Sequence, residues 1–321
     1  HRQGGCWEDR AFREFPEFLH PGDCVVLNDS RVFPSRLFGH RAGVHSLPVG
    51  KNNSKRFENL SGRVEVFLLR PISPNTMDWE ALVRPGRKMR VGERVLFDGG
   101  LEAEILSRGE LGQRTLRFHN TGDIYAELER IGHVPLPPYI KRPDSPEDRD
   151  RYQTVFARAR GSVAAPTAGL HFTPEILEKS RQAGAAIARI TLHVGLGTFQ
   201  PIHTGMVEQH RLHAESYAID ETDWSRIAGA QRVVAVGTTS VRTVESVCQS
   251  GRLRGETDLF IYPGFEFRRT GAMLTNFHLP RTSLLLLVCA LAGRELTLAA
   301  YRYAVRERYR FFSYGDCMLV V

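Results

Sequence analysis

From Arg63 to about Asn120 the chain alternates apolar and polar positions in short runs: Val64–Leu69, Trp79–Val83, Arg94–Phe97, Leu101–Leu106 and Thr115–Phe118. A two-residue period sends neighbouring side chains to opposite faces, so each run predicts a strand with one buried side. Asp98-Gly-Gly100 stands between two runs where a hairpin turn belongs. Several short strands at this spacing predict a small antiparallel barrel or sandwich.

After about Thr154 the pattern changes. Thr173-Pro174-Glu175 supplies a capping oxygen, a first-turn proline and an acid at the positive end of a helix dipole, predicting a helix that runs to about Gln182 and stops at Gly184. Ala186–His193 and Val233–Val236 read as strands beside helical stretches, followed by an apolar helix from Ser283 and an amphipathic one from about Leu296 to Arg310. The predicted fold class is therefore an α/β (α+β) domain, built from residues 1–38 and 133–321, carrying an inserted small antiparallel β-barrel over 39–132. His133-Val-Pro-Leu-Pro-Pro-Tyr-Ile140 reads as a stiff connection, and the charged Lys141–Asp150 as exposed.

Composition narrows the function classes. The 321 residues include 43 Lys+Arg against 36 Asp+Glu, a net charge of +7 that modestly favours an acidic partner such as RNA. Five cysteines with no C-x-x-C pair argue against a zinc ribbon, an iron–sulfur cluster or a disulfide framework, and the expected compartment is the cytoplasm. Leu284–Ala292, the longest apolar run, is too short to span a bilayer, so no membrane role is expected. A P-loop, a G-x-G-x-x-G and an H-E-x-x-H are all lacking, which counts against ATP hydrolysis, dinucleotide binding and a metal hydrolase.

Candidate chemistry gathers where small or hydroxyl residues border predicted elements. His171 lies in the small-residue loop Val163–Phe172, and His193 precedes the glycine-rich turn Val194–Phe199, which contains Gly195 and Gly197. Val233–Gly237 leads into Thr238, Thr239, Ser240 and Arg242, a hydroxyl-rich helix start that offers donors to a ligand; helix capping and a surface salt bridge are the plainer readings. Asn276 offers both a donor and an acceptor, or simply stabilises a turn. Phe311 and Phe312 read as core. Asn28-Asp-Ser-Arg31 follows an apolar strand, at a strand end where α/β sites form, although Asp29 and Arg31 would also satisfy each other in a turn.

The segments LNDSRVFPSRLFG, WEALVRPG, HVPLPPYIKRPD, PTAGLHFT, LHVGLGTF, VGTTSVRTVES, LTNFHLP and YRFFSYGD occur in this order between about Trp7 and Leu319. Together they resemble the S-adenosylmethionine:tRNA ribosyltransferase-isomerase family of the queuosine pathway. The resemblance implies a transferase-isomerase that moves the ribosyl group of S-adenosyl-L-methionine onto 7-aminomethyl-7-deazaguanine at the tRNA wobble position, giving epoxyqueuosine with loss of adenine and methionine. It implies no metal and no membrane, and a monomer is expected.

On the matched motifs, catalytic roles are expected among His171, His193, His213, Glu215, His278 and Asp316. Contacts to S-adenosylmethionine are expected from Thr167 and Gly169, from Gly195 and Gly197, from Thr238, Thr239, Ser240 and Arg242, and from Asn276. Arg31 and Arg84 are expected at RNA, together with Lys51, Lys55 and Arg56 of a polar loop between Arg41 and Arg63 that is longer than is usual in the family. His1 aligns inside the family pattern, which implies that the pattern's first few dozen residues are missing and that restoring them raises stability and activity. A non-catalytic RNA-binding protein retaining the fold is the alternative.

Overall fold

The computed structural model describes residues 1–42, 62–72, 77–109, 112–195, 202 and 205–321. Its strands are β1 (Asp23–Asn28), β2 (Ser30–Val32), β3 (Arg36–Arg41), β4 (Arg63–Pro71), β5 (Asp78–Arg84), β6 (Arg94–Phe97), β7 (Glu102–Arg108), β8 (Gln113–His119), β9 (Ala159–Ser162), β10 (Ala186–Leu192), β11 (Glu215–Ala218), β12 (Arg232–Val236), β13 (Arg254–Thr257), β14 (Thr270–Asn276) and β15 (Cys317–Val320). The main helices are α1 (Ile124–Ile131), α2 (Pro174–Gln182), α3 (Glu221–Gly229), α4 (Thr238–Ser250), α5 (Ser283–Ala292) and α6 (Arg294–Arg306). Contacts divide the chain into two compact units, one of residues 1–31 and 151–321 and one of residues 32–150.

The first unit is built on a seven-stranded sheet in the order β13-β11-β10-β1-β12-β14-β15. Its centre, β10-β1-β12-β14, is parallel, and the outer pairings are antiparallel. Parallel strands are covered on both faces, and β1 shows why its sequence suits that place: all six of its residues are buried. Val25 and Leu27 pack on one side with Phe15, Phe172 and Ile176, while Cys24 and Val26 pack on the other with Ile190, Val244 and Val247.

The helices begin and end where local chemistry directs. The Thr173 hydroxyl accepts from the Ile176 N–H at 3.3 Å to start α2, and Gly184, at φ +87°, follows its end. Gly237 turns into α4 at φ +85°, a conformation that disfavours side chains, and Gly251 closes the helix at φ +68°. At Gly293 the chain bends by 116° between α5 and α6, so the apolar run becomes a packed helix and no single described helix is long and apolar enough to cross a membrane.

Glu245 explains how α4 holds the next strand. Its side chain is fully buried, and its carboxylate accepts from the backbone N–H groups of Arg268, Arg269 and Thr270 and from the Thr270 hydroxyl, at 2.7–3.1 Å. These are the donors at the entry to β14.

The second unit is a closed six-stranded barrel, ordered β3-β4-β5-β8-β7-β6. The alternation read in the sequence fills it: Leu68, Ile105 and Leu116 are fully buried, with Trp79 beside Phe33 and Tyr125. Gly39 permits closure between β3 and β6, because a Cβ there would stand 2.6 Å from the Leu96 carbonyl oxygen. β3 was not read from the sequence. Likewise, the contact boundaries fall at 31/32 and 150/151, where the sequence suggested 38/39 and 132/133. Two features account for this: Arg36 bridges to His133, and Arg149 donates to the carbonyls of Glu129 and Gly132, holding the proline-rich and charged stretches to the barrel unit.

Replacing Glu245 with Ala orphans three backbone donors. At about 1–3 kcal/mol for each unsatisfied group, the urea-unfolding free energy should fall by at least ~3 kcal/mol, and by clearly less for Glu245→Gln, which keeps one acceptor oxygen. Equal loss in the two variants would show that the carboxamide oxygen cannot replace the carboxylate.

Candidate functional site

The carboxyl ends of the parallel strands bring most of the sequence candidates of the first unit to one edge. Asn28 ends β1, His193 follows β10, Thr238 follows β12 and Asn276 ends β14. Open α/β sheets bind ligands at this edge.

Asn28 organises it. Its Oδ1 accepts from the N–H groups of Leu192 and Ser30, and its Nδ2 donates to the Leu192 carbonyl and the Thr239 hydroxyl, at 3.0–3.2 Å. Next to it, Asp29 is completely buried; it accepts from the Thr191 hydroxyl at 2.6 Å and pairs with Arg158 at 3.0 Å. The sequence had offered Arg31 as its partner, but Arg31 points outward and is exposed. Burial holds His193 below the ordinary histidine value, with the Asp29 charge opposing, so the ring is neutral at pH 7. Room for that ring comes from Gly161, where a Cβ would meet it at 2.7 Å.

His171 sits on the short turn Thr167–His171, against Phe12 at 5.2 Å between ring centroids. Its Nε2 lies 3.2 Å from Asn276 Nδ2. Burial again lowers its pKa, while Asp316 pulls upward. Asp316 itself is tied to the Arg310 side chain and backbone N–H at 2.7–2.8 Å; burial alone would raise its pKa, and the Arg310 hydrogen bonds and charge leave it lowered.

Among the described residues of this unit, Ser30 Oγ, Thr154 Oγ1, His193 Nδ1 and Asn276 Oδ1 are buried without hydrogen-bond partners. Buried polar atoms are normally satisfied, so these atoms are open to hydrogen bonds from water or a ligand. At α4, Gly237 provides no side-chain cap, which leaves the first-turn N–H groups of Thr238, Thr239 and Ser240 for a ligand. Ser240 Oγ turns back to the Val236 carbonyl at 2.8 Å.

Other candidates have structural partners. Arg242 and Glu215 form a buried ion pair; Arg242 also donates to the carbonyls of Leu259 and Thr257 at 2.9 and 3.1 Å, and Glu215 accepts the Gly195 N–H at 2.7 Å. The pair braces the exit of β10 against β11, β13 and α4. Exposed His213 lines a small cleft with Glu215, Thr238, Thr239 and Arg242. His278 turns away, its Nε2 2.7 Å from the Thr275 hydroxyl and its N–H on the Tyr301 oxygen, and burial pushes its pKa down to about 4. Gly169 is required by packing, since a Cβ would meet Phe156 and Thr154 at 2.8 Å, and Thr167 is half-buried at the start of its turn. Gly197, Lys51, Lys55 and Arg56 lie outside the described residues.

In the barrel unit, Arg84 is exposed and begins a turn that also exposes Arg87, Lys88 and Arg90. The turn is held from within. Met89 is fully buried, and the guanidinium of buried Arg114 donates to the carbonyls of Gly86, Met89 and Gln113 at 2.6, 3.2 and 2.6 Å. Sequence reasoning found Arg84 and missed the other three, although R-P-G-R-K-M-R carries four cations in seven positions. It also missed Gly161, Thr154 and Arg158, whose roles arise from long-range packing.

A parallel sheet whose strand ends gather Asn28, His193, Thr238 and Asn276, and a barrel inserted in the chain between β2 and β9, places the protein among the two-unit α/β proteins. A family model described as "Queuosine biosynthesis protein" matches residues 1–320. An S-adenosylmethionine:tRNA ribosyltransferase-isomerase of Solibacter usitatus is 70% identical, over 100% of this chain and 91% of the relative, and that of Moorella thermoacetica is 47% identical with the same coverage. The crystal structure of an S-adenosylmethionine tRNA ribosyltransferase from Thermotoga maritima is 35% identical, with a TM-score of 0.51 over 100% of this chain and 90% of that one. The chain belongs to the queuosine biosynthesis protein family.

The lowered value of His278 carries a sign. With a folded pKa of about 4, below the unfolded value, neutral His278 supports the fold above the unfolded pKa, and that support disappears as pH falls toward 4. Thermal midpoints should therefore drop from pH 7 to pH 4.5, and the drop should be smaller in His278→Gln; equal pH slopes would assign it to other groups.

Proposed function

We propose that this chain transfers and isomerises the ribosyl moiety of S-adenosylmethionine onto 7-aminomethyl-7-deazaguanine at the tRNA wobble position, releasing adenine and methionine. The observation that carries the reading is the meeting, at one sheet edge, of two neutral histidines with orphaned buried polar atoms, in a chain whose relatives are named S-adenosylmethionine:tRNA ribosyltransferase-isomerases. The sulfonium acidifies the neighbouring 5′ carbon. His193, neutral and with an unpartnered Nδ1, is the base that takes its proton. Loss of that proton leads to opening of the ribose and expulsion of adenine, beside which we place His171 and Asn276.

The free N–H groups at the start of α4 suit the methionine carboxylate, with Thr238 and Thr239 beside them. Glu215 and Arg242 hold this edge in shape, and His213 borders its cleft. Asp316 acts through its field on His171. No metal is assigned a role. For the tRNA we assign phosphate contacts to Arg31 and to the turn of Arg84, Arg87, Lys88 and Arg90.

Incubating the chain with labelled S-adenosylmethionine and tRNA carrying the aminomethyl base should release adenine in step with tRNA modification, unaffected by chelators. tRNA binding with no adenine release would instead favour the non-catalytic binder. His193→Ala and His171→Ala should each lower kcat by about 10²–10⁴-fold while the thermal midpoint stays close to that of the parent, the usual contribution of a group at the reacting centre. Near-parental turnover at saturating substrates would remove either residue from this assignment.

Affinity for tRNA should fall as salt rises, because each phosphate contact releases counterions. Alanine at Arg84, Arg87 or Lys88 should flatten the slope of log affinity against log salt by roughly 0.7–0.9 per lost contact, without changing the affinity for S-adenosylmethionine. Unchanged slopes in all three would move the RNA contacts elsewhere.

A further inference from the structure

Asn276 is 2% exposed, and its amide nitrogen has two neighbours: the Phe312 carbonyl oxygen at 3.1 Å and His171 Nε2 at 3.2 Å. A carbonyl oxygen only accepts, so the group facing Phe312 must be the N–H₂ end of the carboxamide; turning it over would set two oxygens against each other. Phe312 is itself held in place. Its φ is +74°, uncommon for a bulky residue; its N–H donates to the Phe277 carbonyl at 3.2 Å, and its carbonyl also accepts the Gly315 N–H at 3.0 Å. The main chain thus fixes the carboxamide, where ordinarily the choice between oxygen and nitrogen is open.

The second amide hydrogen then points at His171 Nε2. A donor facing that nitrogen needs its lone pair, so the proton of the neutral ring resides on Nδ1. We propose that Asn276 is a positioning residue that holds His171 in the Nδ1–H tautomer, so that His171 meets its ligand as a hydrogen-bond donor and not as a proton acceptor. Burial, which favours the uncharged ring, works in the same direction. A neutral imidazole of this kind stabilises charge developing on a nitrogen or oxygen without surrendering its proton. Asn276 Oδ1, buried and without a partner, is left as an acceptor only; the matching ligand group is an N–H or N–H₂, as on the edge of an aminopurine. The roles at the site therefore divide, with proton removal assigned to His193 and donation to His171.

This inference rests on the functional reading above for the identity of the ligand, but the tautomer is a property of the resting protein and is tested without substrate. In protein labelled with [15N]histidine, long-range 1H–15N spectra distinguish protonated from unprotonated ring nitrogens, and the His171 signals are assigned by their loss in His171→Gln. The expected result is a protonated Nδ1 and a bare Nε2. A protonated Nε2 overturns the proposal, whatever the activity of the enzyme.

Asn276→Asp supplies the opposite instruction, since a carboxylate beside Nε2 accepts from an Nε2–H. His171 should change tautomer and titrate at higher pH, with Asp316 and Arg310, the other charged groups acting on it, unchanged. The acidic limb of the kcat profile should move upward, and kcat should fall by about 10²–10⁴-fold, the scale seen when a site histidine is held in the wrong tautomer or a general acid–base is lost, while KM for S-adenosylmethionine changes much less. A variant with the parental tautomer and pH profile also overturns the proposal. Absence of adenine release by the parent protein would refute the functional reading alone and leave the spectra to decide the tautomer.

Discussion

Everything at the ligand edge hangs from the carboxamide of Asn28. A parallel sheet leaves its strand ends without a hairpin to fasten them, so β1, β10 and the β12–α4 turn need a separate connection. Asn28 supplies it: its four hydrogen bonds reach both backbone groups of Leu192, the Ser30 N–H and the Thr239 hydroxyl. The residues next to this network are those to which the proposed function assigns the chemistry or its support. Asp29 follows Asn28, His193 follows Leu192, and Thr238 precedes Thr239. A small shift in one carboxamide would displace all three groups together, and for that reason an amide with two donors and two acceptors is needed where a hydroxyl or carboxylate would leave partners unmet.

Desolvation sets the chemistry of this edge. His171 and His193 both stand below the ordinary histidine value because burial penalises the charged ring, and each feels one carboxylate opposing that effect, Asp316 for the first and Asp29 for the second. Both carboxylates are themselves held by an arginine, Arg310 or Arg158. The arginines limit how far each carboxylate can favour an imidazolium, and the rings remain neutral near pH 7. Glu215 and Arg242 follow a different logic. A buried ion pair contributes little net stability once its desolvation is counted, but removing either partner is costly, so such a pair fixes geometry more than it adds stability.

Much of this was legible in the chain, for definable reasons. The barrel strands β4–β8 appear as two-residue alternation because one face is core and the other is solvent; α2 announces itself through Thr173, Pro174 and Gly184. β3 does not, since Arg36-Leu-Phe-Gly-His-Arg41 has a glycine at the closure contact with Leu96. β14 was obscured because its end, Thr275-Asn276, reads as turn chemistry, and the short strands β11 and β13, on the antiparallel side of the sheet, carry too few apolar residues to register. The motifs drew attention to the residues that meet at this edge but did not separate their parts. VGTTSVRTVES contains an uncapped helix start at Thr238 and Thr239, a brace in Arg242 and a strand anchor in Glu245. Only the partners, at distances of 15 to 27 residues along the chain, tell them apart.

The same limitation explains why histidines could be found in the sequence but not given roles. His171, His193 and His278 all sit in matched segments, and all are depressed by burial. What distinguishes them is the atom facing each ring nitrogen. His278 Nε2 has the Thr275 hydroxyl and its backbone N–H has Tyr301, so its contacts are internal. His193 Nδ1 is buried without a hydrogen-bond partner; His171 Nε2 has an amide whose orientation is set by the Phe312 carbonyl. The proposed tautomer of His171 therefore depends on a main-chain oxygen 141 positions after it, and no reading of spacing or residue type along the chain contains that relation. It exists only once β14, the 167–171 turn and the loop before β15 have folded against one another.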